Sequence, residues 1–495
     1  MSKVGYQVKD KSAAREDLFP AGTRRAFSIS FFTSAAGTAK FPRMQITDLN
    51  GARDIGANCL LAEIGPFRIL FDCGLHPKKL GRNALPQLDR VRGFSVDFVV
   101  LSHCHLDHLG GLPVLLREHP QTRVLCSPAS RIVAARILRN SIGVMMRQRD
   151  ELRIGEYPLY TYSELDAVEA ALTPLPLGAP KTFHENGDEI TFTLYPAGHV
   201  AGAVGCMVEY KRRKIFFTGD VCFHDQETVP GAAFPQGKVD TLIMETTRGA
   251  AEVDDVSRED EVRRLVADAA GTLSGGGSVL VPAFAFGRMQ ELIHIFCRAK
   301  KDGRIPAETP VFCTGLGLDL ADYFDAMARK TGDVKFHRSL MKDLGVRALR
   351  EFEEPGVDVP EQGIYLLSSG MLVEHTPAWR VAANMLGYAH NLVAFVGYCD
   401  PDTPGGRLLT RTNVDELRFA DMNFISRVLA TVSRYDLSGH APRERLMDYA
   451  FSVEPRVAVL THGGPPAREW FEEEFAISLP KTKTVNLEPG VPAEI

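Results

Sequence analysis

No two of the nine cysteines in this 495-residue chain stand in a C-x-x-C pair, and their odd number is scattered from Cys59 to Cys399. That excludes a disulfide framework and a thiolate zinc cluster. Long apolar runs are also missing. The longest, such as Ser278 to Phe286, are far too short to span a bilayer, and Met1-Ser2-Lys3-Val4-Gly5 leads into no apolar stretch of signal-peptide type. The expectation is a cytoplasmic chain without a membrane partner. A strong charge of one sign is lacking as well. The net charge of −5 exerts no global pull on nucleic acid, so a polyanion would have to be held by a local groove or by metals. There is no internal repeat and no low-complexity tract. What is present, 45% hydrophobic and 24% charged residues, suffices for sizeable cores.

From about Phe27 to Glu245 the pattern is strand-rich. Asn58 to Ile64, Phe67 to Phe71, Val96 to Leu101, Thr191 to Tyr195, Val204 to Tyr210, Lys214 to Thr218 and Thr241 to Met244 are short β-like runs between Gly, Pro and charged turns. Stacked sheets with outer helices are expected. From Val256 onward, helix-like stretches (Arg258 to Leu273, Arg288 to Lys300) alternate with short buried strands at Ser278 to Val281, Pro310 to Cys313, Ile364 to Leu367 and Leu392 to Val396, the rhythm of a parallel α/β domain. After about Leu437, a helix from Arg443 to Phe451 and a strand from Val457 to Leu460 lead to His462, whose chemistry belongs with the first half. The middle domain therefore reads as an insertion. The expected division is a polar, aperiodic extension over 1–25, a first part over 26–248, an inserted domain over 249–437, and a return to the first domain over 438–495.

The chemistry concentrates in His103-Cys104-His105-Leu106-Asp107-His108, which follows the apolar run Phe98 to Leu101. Side chains alternate along a strand, so His103 and His105 leave its end pointing the same way and can share one metal. Asp107 and His108 fall where the chain turns into Leu109-Gly110-Gly111-Leu112-Pro113, a loop and helix start, and can reach a second ion. Each ligand type suits zinc. Asp72 ends the strand Arg68 to Phe71, and it suits the role of acceptor for a ligating histidine's outer nitrogen better than that of a ligand. His199 and Asp220 end two further strands. Taken singly, each reads as well as a structural polar residue as a ligand, but their shared position at strand ends favours ligation. A carboxylate bridging two cations is the arrangement two-metal phosphoesterases use, and Asp220 is the candidate. Glu245 ends another strand, and His440 and His462 sit in glycine-flanked loops where the backbone can approach closely. Read alone, these three are as compatible with surface loops as with a site.

Assembled, these residues resemble the metallo-β-lactamase fold in its β-CASP branch of nucleases, over roughly Met44 to Gly464. Asp72 matches that fold's first motif, His103 to His108 the second, His199 the third and Asp220 the fourth. Glu245, His440 and His462 resemble the three motifs that distinguish the β-CASP branch. The segment Gly276-Gly277-Ser278 through Phe286-Gly287-Arg288 is similar to the opening of its inserted domain, and Ser369-Gly370-Met371-Leu372 and Val396-Gly397-Tyr398 to later landmarks. The resemblance implies an α/β fold, a metallo-β-lactamase αββα sandwich with an inserted parallel α/β β-CASP domain. It implies two Zn2+, one on His103, His105 and His199, the other on Asp107, His108 and His462, with Asp220 bridging. Mn2+ tolerates the same oxygens and nitrogens. His440 paired with Glu245 is the implied proton donor, and Asp107 and Asp72 are counted with that pair in the chemistry. A histidine at position 462 is the form of the RNA-processing members, so single-stranded RNA is the expected substrate.

Three departures from the family pattern stand out. Val373-Glu374-His375 replaces a glycine pair near the expected nucleic-acid cleft, and Pro442 and Gly464 replace acids that often follow the last two motifs. No appended KH module or long C-terminal oligomerisation domain is visible, so protein partners are left open. Two cations sharing a water lower its pKa and neutralise charge on a phosphodiester, and a general acid adds roughly 10²–10⁴-fold. Cleavage by this route leaves 5′-phosphate and 3′-hydroxyl ends. It uses no 2′-hydroxyl, so DNA is the nearest rival substrate. A small-molecule metallohydrolase would not need the insertion or the Glu245 and His440 pair, and a scaffold subunit would not need the full ligand set. Lys211-Arg212-Arg213-Lys214 reads as a solvated hairpin tip. His76, His119, His184, His224, His294, His337 and His390 lack matching partners in the sequence and read as structural or surface residues.

Overall fold

A computed structural model of the chain describes residues 43–250, 256–349, 354–410 and 415–495. The extension expected over 1–25 lies outside the described residues.

Hydrophobic alternation builds the first two layers. In the strand Phe67–Phe71, Phe67, Ile69 and Phe71 face one core while Leu70 faces another. In Phe98–Val100, Phe98 and Val100 point to the first core and Val99 to the second. Successive side chains on a strand take opposite faces, so these short runs serve two layers at once. Among the described residues, the first sheet has seven strands in the order Ala493–Glu494, Met44–Asp48, Leu60–Ile64, Phe67–Phe71, Phe98–Val100, Arg123–Cys126 and Leu172–Pro174. The second also has seven: Lys483–Asn486, Val457–Thr461, Thr241–Glu245, Arg213–Phe217, Val204–Tyr210, Asp188–Pro196 and Lys181–Glu185. Phenylalanines from both meet between them, with Phe71 and Phe217 ring centroids 4.8 Å apart and Phe98 and Phe192 5.0 Å apart. Helices cover the outer faces. The 25-residue helix Pro128–Leu152 opens on Ser127, whose hydroxyl accepts from Ser130 N, with Pro128 in the first turn.

The third sheet contains the strands Val346–Ala348, Val311–Cys313, Ile364–Leu367, Val279–Pro282, Leu392–Phe395 and Thr431–Arg434, every pairing parallel. Both its faces are covered: Val279 and Val281 enter one core, Leu280 and Tyr365 another. That double burial is why these strands read as unbroken apolar runs. This sheet lies in sequence between Thr241–Glu245 and Val457–Thr461, which themselves pair in parallel with Glu245 opposite Thr461. The chain thus leaves the second sheet, builds the third and returns.

Several elements differ from expectation. The helix expected after the histidine cluster runs over Leu112–Glu118, with Pro113 in its first turn, and an unexpected single turn, Leu106–Leu109, precedes it, the His105 carbonyl accepting from His108 N and Leu109 N. The basic run is not all solvated: Arg213 is buried on its strand, its guanidinium donating to Ile495 O at 2.6 Å, while Lys211, Arg212 and Lys214 stay exposed. An antiparallel hairpin, Glu416–Phe419 with Phe424–Arg427, was not anticipated, since its strands are short and rich in charge. No helix among the described residues is long and apolar enough to cross a membrane.

Candidate metal centre

The strand ends of both seven-stranded sheets converge at one point. Phe67–Phe71 delivers Asp72, Phe98–Val100 leads to His103 and His105, and Leu106–Leu109 carries Asp107 and His108 in its single turn. From the other sheet come His199 after Asp188–Pro196, Asp220 after Arg213–Phe217, Glu245 at the end of Thr241–Glu245, and His462 after Val457–Thr461. Asp72 and His462 both hold positive φ, 60° and 49°, a conformation that costs a non-glycine residue on the order of 1–3 kcal/mol. Close approach fixes two glycines. A Cβ on Gly74 would strike the Asp107 carbonyl, and one on Gly463 would strike Thr246 Oγ1.

The donors form two sets. His103 Nε2 lies 2.9 Å from His105 Nδ1, which lies 3.2 Å from His199 Nε2. Asp107 Oδ2, His108 Nε2 and His462 Nε2 form the other set, at 3.5, 3.5 and 3.2 Å from one another. Asp220 Oδ2 stands between them, 3.7 Å from His103 Nε2, 3.8 Å from His199 Nε2 and 3.3 Å from His108 Nε2. Within each set the ligand atoms fall within 4.8 Å of one another. Asp220 Oδ1 is buried without a hydrogen bond, with His462 Nδ1 3.4 Å away.

Whether these groups suit a metal can be tested on the nitrogens that point away. His105 Nε2–H donates to Phe286 O at 3.1 Å, His199 Nδ1–H to Gly439 O at 2.7 Å, and His108 Nδ1–H to Asp72 Oδ2 at 2.7 Å. Ser102 Oγ donates to Asp72 Oδ2 at 2.8 Å, so it is an acceptor for His103 Nδ1–H at 3.0 Å. Thr247 Oγ1 donates to Glu245 Oε2, so it is an acceptor for His462 Nδ1–H at 2.7 Å. In all five imidazoles the outer nitrogen has a partner that takes its proton, which leaves the inner nitrogen's lone pair facing the centre. Such tautomer-fixing partners are what ligating histidines require, so the residues fit zinc.

The electrostatics agree. Burial and the neighbouring His108 and His105 rings hold His103 well below the ordinary imidazole range, burial and the His440 ring do the same for His199, and burial lowers His105. These three stay neutral, as ligands must. For His108, burial opposes the charge, but the Asp220, Asp107 and Asp72 carboxylates outweigh it and raise its pKa well above the usual value. Burial would raise Asp220, yet His462 and His108 hold it well below the carboxylate range. In the second set a proton on His108 thus offsets the surrounding carboxylates, and a cation taking the place of that proton would leave Nε2 free to ligate.

Beside the sets, His440 Nδ1 lies 3.0 Å from Glu245 Oε2. Burial alone would lower His440, but the Glu245 carboxylate raises its pKa. The His440 side chain keeps 13% of its surface open, against 1% for Glu245, so the imidazole can meet a substrate and the carboxylate cannot. The site also draws on residues that sequence reasoning did not single out. Buried Arg288, at the start of Arg288–Lys301, donates to Leu437 O at 2.6 Å and to Gln226 Oε1, and Gln226 Nε2 donates to Gly198 O and to His199 O. One guanidinium thus ties the His199 loop to the His440 loop. Asn58 Nδ2 lies 3.3 Å from His108 Nε2. Arg288 closes the segment that signals the insertion, but Gln226, Ser102, Thr247 and Asn58 are common residue types with no spacing to mark them. His375, in the altered loop, has φ 63° and turns to Asp421 Oδ2 at 3.3 Å, not to the metal centre. His224 contacts Cys222 Sγ at 3.3 Å.

Residues 52–276 match the metallo-beta-lactamase superfamily, and residues 426–484 match the Zn-dependent metallo-hydrolase RNA specificity domain. Among curated proteins, the chain is 26% identical to Cleavage and polyadenylation specificity factor 73 of Drosophila melanogaster, over 87% of this chain and 62% of that protein. It is 26% identical to Integrator complex subunit 11 of Danio rerio, over 92% and 76%, and 27% identical to Transcription termination factor FttA of Pyrococcus horikoshii, over 85% and 66%. The chain thus spans roughly three-fifths to three-quarters of the length of these relatives. A solved structure, a protein of unknown function from Enterococcus faecalis V583, shares the fold with a TM-score of 0.53 at 15% identity, covering 92% of this chain and all of that one.

Proposed function

Because the chain belongs to the metallo-β-lactamase superfamily, in its β-CASP branch, we propose that it is a metal-dependent ribonuclease that hydrolyses phosphodiester bonds of single-stranded RNA, leaving 5′-phosphate and 3′-hydroxyl ends. The observation that carries this reading is the pairing of two donor sets around one carboxylate, Asp220 Oδ2, with the His440 and Glu245 pair beside them. Bound together, two zinc ions would acidify a shared water and offset the negative charge that builds on the phosphodiester oxygens.

In this reading His103, His105 and His199 would hold one ion and Asp107, His108 and His462 the other, with Asp220 available to both. Asp72 takes the proton of His108 Nδ1 and keeps Nε2 turned inward. Glu245 holds His440 protonated and oriented, so that its Nε2–H can pass a proton to the departing ribose oxygen. An alkoxide leaves poorly, and a positioned acid contributes roughly 10²–10⁴-fold. Support for RNA comes from the matched RNA specificity domain, which contains both His440 and His462, and from relatives such as Cleavage and polyadenylation specificity factor 73. We take the inserted domain to span 249–437, flanked by the two parts of the hydrolase domain, in a cytoplasmic setting.

The test is to incubate metal-analysed protein with RNA labelled separately at each end, bearing a 5′-monophosphate or triphosphate, beside a matched DNA strand. RNA cut and DNA spared is the expected result, with a ladder of products marking internal cleavage and a mononucleotide marking attack from the 5′ end. Cleavage of DNA alone would reassign the substrate. Intact strands with two zinc ions bound would contradict the activity.

A further inference from the structure

The strand pairing that places Glu245 opposite Thr461 also sets Thr246 and Thr247 beside His462 and Gly463. The two threonines have different uses. Thr246 Oγ1 donates to Thr461 O at 2.9 Å and so ties backbone to backbone. Thr247 Oγ1 touches only the site: it accepts from His462 Nδ1 at 2.7 Å, donates to Glu245 Oε2, and lies 3.2 Å from His462 O. A hydroxyl has one proton, and the Glu245 carboxylate is a stronger acceptor for it than the His462 carbonyl. Glu245 then receives Val221 N at 2.6 Å on Oε1, Thr247 on Oε2, and His440 Nδ1 at 3.0 Å.

We propose that Thr247 is the positioning residue that couples the second donor set to the proton-donor pair, through the hydrogen-bonded series His462 Nδ1–H to Thr247 Oγ1–H to Glu245 Oε2, with His440 Nδ1–H donating to the same carboxylate. The inference rests on His462 being a metal ligand and His440 the proton donor. One hydroxyl then does two things. By accepting from His462 Nδ1–H it fixes the tautomer that leaves Nε2 free to ligate. By donating to Glu245 it holds the carboxylate in the orientation that aims His440. Valine has threonine's shape without the hydroxyl, so Thr247→Val would leave His462 Nδ1–H and Glu245 Oε2 buried without this partner. Serine keeps the hydroxyl and loses only a methyl.

The experiment compares wild type, Thr247→Val, Thr247→Ser and His462→Ala by zinc binding in metal-buffered solution, with thermal unfolding of each to establish that it is folded. Two equivalents are expected in wild type. In Thr247→Val one of them should weaken about 10–100-fold, the range typical for removing a partner of a ligating histidine. Thr247→Ser should bind nearly as wild type does. With zinc in excess, so that both sets are filled, Thr247→Val should still cleave RNA at least about tenfold more slowly than wild type, because Glu245 has lost its donor. Unchanged zinc binding in Thr247→Val beside a lost equivalent in His462→Ala would overturn the proposal, and so would a full return of rate in excess zinc. Two unaltered equivalents in His462→Ala would instead overturn the ligand assignment beneath it, and the proposal with it. The zinc measurements stand whether or not RNA is the substrate.

Discussion

The two walls of the centre are built in opposite ways. The first is local: His103, His105, Asp107 and His108 fall within one strand end and one helical turn, and Ser102, adjacent in sequence, supplies the partner for His103. The second is assembled from distant segments. His199, Asp220, Glu245, His440 and His462 arrive on separate strands or loops, and their mutual placement depends on contacts such as Arg288 with Leu437 O, His199 with Gly439 O, and Thr247 with His462 and Glu245. A local wall is fixed by backbone geometry, whereas an assembled wall is only as precise as its tertiary hydrogen bonds. Each donor set joins two residues of the local wall to one of the assembled wall, His199 in the first and His462 in the second, so each ion should be lost most easily through its assembled ligand.

The largest effect should come from removing what both walls share. Asp220→Asn is expected to reduce zinc below one equivalent per chain and RNA cleavage below detection. Metal analysis showing two retained ions would break the idea of a common bridge. Next in size, His462→Ala should lose one equivalent and leave the other, held by the local wall together with His199, nearly unchanged. If zinc binding fell equally in both sets, His462 would not belong to one set alone.

The smallest effect concerns the support of the assembled wall. Burial, then Arg258 and Arg288, lower His224 to about 4. A histidine depressed in this way contributes stability that is present above its unfolded pKa of roughly 6.5 and is lost as pH falls through the folded value, because unfolding then takes up a proton. Between pH 7 and pH 5 wild type should therefore lose about 2 kcal/mol more stability than His224→Gln does. Urea denaturation at the two pH values measures the difference. Equal losses in the two proteins would remove His224 from the account.

Much of this was legible in the sequence, and the limits have physical causes. The cluster from His103 to His108 points to a metal because four residues of ligand type lie within six positions. The two-layer sandwich and the parallel inserted sheet follow from alternating and unbroken apolar runs, such as Phe67–Phe71 and Ile364–Leu367, whose bounds agree with the structure. Asp72, His199 and Asp220 could be recognised because each follows an apolar strand, and Glu245, His440 and His462 chiefly because their order resembles a known branch. Ser102, Gln226 and Thr247 could not be picked out, since a hydroxyl or amide becomes a positioning group only through a partner distant in sequence, such as His462 for Thr247, or through a side-chain direction that sequence does not encode. Arg213 was misread for a related reason: a basic run gives no sign of which member turns inward to meet the backbone carbonyl of Ile495. Nor was the helix Pro128–Leu152 picked out, although Ser127-Pro128 at its start is a strong opening signal.

The most direct test of the central claim is to determine the product ends and the metal content together, in wild type and in His440→Ala. The account predicts RNA fragments with 5′-phosphate and 3′-hydroxyl ends from wild type. It predicts a rate lower by roughly 10²–10⁴-fold in the variant, with zinc content unchanged. Fragments ending in a 2′,3′-cyclic phosphate would contradict it, because that product forms by attack of the ribose hydroxyl and needs neither of the two donor sets. Loss of zinc together with activity in His440→Ala would contradict the separation of proton donor from ligands on which the account depends.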